Sequence, residues 1–133
     1  MSTAKLFRWS GLASILAGVL YAFAALLHPP GEDVASILMP NWVPAHILGA
    51  VSALLTLLGL VGLYARQAEK AGWLGFLGFI LFFTGSALMG FAETMSADIA
   101  PALAVKAPSM INEFLSPQPS ASDLVIILGL ILG

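Results

Sequence analysis

The 133-residue chain contains no cysteine. Disulfides, thiol nucleophiles and cysteine metal ligands are therefore excluded, while compartment is left open. Charge is almost as scarce. Asp, Glu, Lys and Arg make up 9% of the residues, against roughly 25% in soluble domains. Such a chain has too little polar surface to face water on all sides. The net charge of −2 and the lack of a basic patch argue against a nucleic-acid partner. Histidine occurs only twice, at 28 and 46. No HExxH pair or nucleophile elbow is present. The glycines of Gly72-Trp-Leu-Gly75-Phe-Leu-Gly78 follow no strand, so they do not form a nucleotide loop. The Glu32-Asp33 pair reads as a solvated turn, because calcium needs more oxygen ligands. An enzymatic role is not the leading expectation.

What the chain has in abundance is apolar sequence. Hydrophobic residues make up 59%, and the mean hydropathy is +0.98. Trp9 to Leu27 and Ile47 to Ala65 are each nineteen residues without a charge, and Gly72 to Ala92 is twenty-one. A hydrocarbon core about 30 Å thick takes about 20 helical residues. The expected fold is all-α: an integral membrane antiparallel helical bundle with three full transmembrane helices and the start of a fourth. Residues 1–133 form a single transmembrane domain, with helices at about 9–28, 43–65, 72–95 and 123–133. External loops span 29–42 and 96–122. The fourth apolar run begins at Leu124 behind Ser120 and Asp123, a capping-box spacing. It holds only about half the residues a span requires, so C-terminal truncation is expected; the alternative is a short re-entrant or interfacial segment.

Orientation follows the basic residues. Lys5, Arg8, Arg66 and Lys70 fall on one side and Lys106 alone on the other. The N-terminus is therefore expected in the cytoplasm, with the chain multi-pass in the inner (plasma) membrane. Trp9, Tyr64 and Trp73 then mark the inner interface and Trp42 the outer one. A signal peptide with a cut after Ala22-Phe-Ala24 is the competing reading of the first run. The run continues through Ala25-Leu-Leu27, which favours a retained helix. Prolines at 101, 108, 117 and 119 argue against a long helix in 96–122. A short helix after Pro108 would place Met110, Ile111, Phe114 and Leu115 on one face, either at the interface or as a lid; a loosely ordered loop is the alternative.

In lipid, helices associate through close packing at small residues. Ser10, Ser14, Gly18 and Ala22 mark such a stripe on the first span. Gly49, Ala53, Thr56 and Gly59 mark the second, and Gly78, Gly85, Ser86 and Gly90 the third. Gly129 and Gly133 begin another. The bilayer is the expected partner, with a homo-oligomer or other membrane subunits docking through these faces.

One constellation carries chemistry. Counting about 1.5 Å per residue from Trp9, Arg66 and Trp73 puts His28, His46 and Glu93 at nearly equal height, at the outer membrane edge. Each also continues its helix's small-residue stripe. Two imidazoles and a carboxylate suffice for a zinc-like metal, with water, Asp98 or Glu32 as a fourth ligand. Two imidazoles can also ligate haem. A proton or solute path is a further reading, and structural pairing of His46 with Glu93 is the plainest. No cofactor is required by any of this. The leading function is a structural or accessory membrane subunit. The alternative is a membrane transport or binding module, or a metal-binding membrane enzyme, using the His28/His46/Glu93 cluster.

Overall fold

The computed structural model describes residues 2–116, which are mostly helical and contain no strand. The expected fourth helix at 123–133, its Ser120–Asp123 cap and its glycines lie outside the described residues. Four helices follow in order: α1 (Thr3–Leu27), α2 (Val34–Ile37), α3 (Trp42–Lys106) and α4 (Pro108–Leu115). Helices α1 and α3 are long and apolar enough to cross a membrane.

Helix α1 starts six residues before the expected boundary, because the charged residues Lys5 and Arg8 do not oppose helix formation. It stops at His28, whose ψ of 131° is not helical. Pro29 excludes the α region for the residue before it.

Helix α3 replaces two expected helices and their loop. Arg66-Gln-Ala-Glu-Lys-Ala71, expected as a turn, stays helical because each of those residues is a strong helix former. The break falls on Gly72 alone, at φ 55° and ψ −156°, a conformation open essentially to glycine. Helix α3 therefore has a first arm, 42–71, and a second arm, 73–106. The arms run antiparallel: Tyr64 stacks on Phe79, Ala53 meets Gly90, and Trp42 reaches Ser96.

Helix α1 packs antiparallel on the first arm through small residues. Ser10 lies over Gly62 and Ser14 over Gly59, each so close that a Cβ on the glycine would strike the serine. The Ser52 hydroxyl donates to the Ala17 carbonyl at 2.8 Å. The buried residues of α1 are Ser10, Ala13, Ala17 and Ala24. Gly18 and Ala22, expected in the seam, are exposed instead. The seam follows alternating three- and four-residue steps, which track a helix face better than a strict step of four. Large side chains point outward: Leu26 is 82% exposed and Leu74 80%. Small residues within and large apolar ones without is the arrangement suited to lipid.

The segment 96–122 needs the largest correction. Helix α3 runs through Pro101 to Lys106. A mid-helix proline costs about 3 kcal/mol, and packing offsets it. Ala104 is buried with Trp42 and Ile37 in a small core, against which Val34, Val43, Ala100 and Ile111 rest. The helix ends at Ala107 (φ −147°, ψ 61°), the residue before Pro108, and Pro108 opens α4. Within 29–42, expected as loop, α2 forms behind Asp33, whose carboxylate caps the Ser36 amide at 2.8 Å.

Candidate functional site

Glu93 enters the site from the second arm and His46 from the first. The His46 Nδ1–H donates to Glu93 Oε2 at 2.7 Å. Both are largely buried, with side chains 9% and 13% exposed. Gly49, one turn beyond His46, supplies the space: a Cβ there would lie 2.6 Å from the Glu93 carboxylate. The shared face read for His46, Gly49, Ala53 and for Glu93, Gly90, Ser86 is the packed one.

His28 reaches the same place by another route. It is the C-cap residue of α1, outside the helix, so its direction is not set by the helix face of Ser14 and Gly18 that it was expected to continue. That face is exposed. The His28 ring instead meets the His46 ring edge-on, centroids 5.0 Å apart. Its nitrogens are engaged elsewhere. Nδ1–H donates to the Pro29 carbonyl at 2.7 Å, and Nε2 lies 3.5 Å from Glu32 Oε1. That second contact is an ion pair only when His28 is protonated, and Glu32 is exposed, so it is worth little.

Trp42, expected at the outer interface, turns inward to the protein: at 1% exposure it is the most completely buried large side chain among the described residues. Its ring lies 4.3 Å from His46 and 5.4 Å from His28, centroid to centroid. Its indole N–H donates to the Ser96 carbonyl at 2.8 Å. The i, i+4 spacing of Trp42 and His46 on one helix face was the available signal. The Asn41 amide donates to Leu27 O, which satisfies a terminal carbonyl of α1. At this end the Ser36 amide holds the exposed Asp33 carboxyl below its ordinary value.

Among the described residues, no three or more His, Cys, Asp or Glu side chains are grouped to hold a metal. Asp98, named as a fourth ligand, is exposed. The cluster is a hydrogen-bonded His46–Glu93 pair roofed by Trp42 and His28. One nitrogen stands apart: among the described residues, His46 Nε2 is buried without a hydrogen-bond partner, a state that buried polar atoms rarely adopt. Next to the pair, a cleft of about 270 Å³ lies between α1 and the second arm, bordered by Gly18, Tyr21, Thr56, Met89 and Glu93. No family model matches the chain, and no curated protein or solved structure shows significant similarity to it.

Proposed function

We propose that this chain is a multi-pass integral membrane protein, with α1 and the two arms of α3 as three spans and the N-terminus in the cytoplasm, acting as a structural or accessory membrane subunit. The observation that carries this reading is the inverted packing, in which serine, alanine and glycine are buried and leucine is exposed. In water, so continuous an apolar surface would aggregate; in lipid it is neutral. The reversal at Gly72 supports counting α3 as two spans. The basic residues favour Gly72 on the cytoplasmic side.

Because residues 1–133 contain no cysteine, single-cysteine variants of this sequence report without background. With a membrane-impermeant maleimide, Ala35→Cys and Glu113→Cys should label from outside intact cells, once any outer barrier is removed. Gln67→Cys should label only after permeabilisation. Labelling of Gln67→Cys in intact cells, or opposite behaviour of Ala35→Cys and Glu113→Cys, contradicts the topology. Recovery of the chain from its native membrane solely as a monomer counts against the subunit role.

A second reading, a binding module at the outer end, is favoured by one specific observation: Glu93 is among the residues that border the cleft.

A further inference from the structure

We propose that the cleft between α1 and the second arm binds a small organic cation, a quaternary ammonium or amine with an apolar body, and that Glu93 supplies the counter-charge. This deepens the binding-module reading and rests on it.

Charge comes first. Among the described residues that line the cleft, Glu93 is the charged one. Among the described residues its ion-pair partner is His46, which counts as charged only if protonated. His46 Nδ1–H already donates to Glu93, and among the described residues no hydrogen-bond partner meets the buried Nε2. An imidazolium would bury a second N–H with no acceptor among the described residues, at a substantial cost. With a neutral ring donating through Nδ1, the pair carries the single negative charge of the Glu93 carboxylate. An uncompensated carboxylate in so apolar a site is costly, and a cation in the cleft removes that cost.

Two hydroxyls of the lining agree in sign. The Ser52 hydroxyl donates to Ala17 O and the Thr56 hydroxyl to Ser52 O. Both have spent their hydrogens and retain acceptor oxygens, which suit a cation and repel an anion. Tyr21 adds an aromatic ring of the kind that attracts ammonium groups. Ala17, Gly18 and Met89 offer apolar wall. Gly18, Tyr21 and Met89 are all exposed, so the cleft opens sideways. In a bilayer that opening faces lipid, and an amphipathic cation partitioned there has direct access.

The test uses the full chain in lipid nanodiscs and benzyltrimethylammonium as probe, with neopentylbenzene as its uncharged analogue. Saturable calorimetric binding of the cation is expected, and none of the neutral analogue. Glu93→Gln keeps an acceptor for His46 but removes the charge, and should weaken binding at least about tenfold. Gly18→Leu should abolish it by filling the cleft. A Cβ at Gly18 meets nothing within 4 Å, so that variant should fold. Gly11→Leu, at an equally open site outside the cleft lining, should bind like the parent. Equal affinity of parent and Glu93→Gln, equal binding of the neutral analogue, or no binding up to about 10 mM, well above a millimolar Kd, each overturns the proposal. The cysteine labelling separates the two readings. Correct labelling without binding removes the site alone; binding with incorrect labelling removes the three-span topology alone.

Discussion

At the residue scale, the site depends on one missing side chain. Gly49 leaves room for the Glu93 carboxylate that holds His46. Gly49→Ala puts a methyl into that space, and overpacking of this kind costs about 1–3 kcal/mol. The cost should nearly vanish in a Glu93→Ala background, because the obstacle is then gone; contacting residues are coupled in this way. Unfolding stability in mild detergent for the four proteins checks it, and additive effects would show that the glycine and the carboxylate do not share space. The partnership of His46 and Glu93 was legible in the sequence, because height and helix face are both functions of residue count. His28 was found for the wrong reason. Helical periodicity was extended to a residue that Pro29 pushes out of the helix. Trp42 was misplaced because an aromatic at a span end reads as an interface anchor, and sequence alone does not reveal that Ser96 waits with a carbonyl.

At the element scale, two local devices set the chain's path. Gly72 makes the reversal, and a Cβ there meets nothing. The penalty for Gly72→Ala is therefore backbone strain only, about 1–3 kcal/mol. Gly78→Ala, equally open but inside a helix, should gain up to about 1 kcal/mol. If thermal unfolding ranks the two variants the other way, the reversal does not depend on Gly72. The second device is the Asp33 cap. Its carboxyl is held below the ordinary value by Ser36, so the ionised form is favoured in the folded protein. Its contribution to α2 is complete above the unfolded value and disappears as pH falls through the lowered folded one. The Ser36 amide resonance should follow that titration, and Asp33→Asn should remove the pH dependence. A Ser36 amide that titrates identically in Asp33→Asn would assign the effect elsewhere. The helix through Pro101 was not legible, since proline's local cost is visible in sequence and the burial of Ala104 that offsets it is not.

At the scale of the whole molecule, α1 and the two arms of α3 form three antiparallel rods held by small residues, with their polar pair at the end opposite Gly72. The apolar runs and the antiparallel order were legible, because both follow from composition and chain length. The exact seam was not. Three- and four-residue steps on α1 pass through Ala13 and Ala17, and alanine is too common in apolar helices to stand out. The folding back of α3 on itself brings Glu93 to His46, and every functional reading depends on it. The double variant Ala53→Cys/Gly90→Cys tests that fold-back directly, in a chain with no other thiol. A Cβ at residue 90 lies 3.0 Å from that of Ala53, close to disulfide range. Mild oxidation of the membrane-embedded protein should give an intramolecular disulfide that blocks both thiols from maleimide. In an unbroken α3 the two positions would stand about 55 Å apart, and two thiols that stay fully reactive after oxidation would contradict the hairpin.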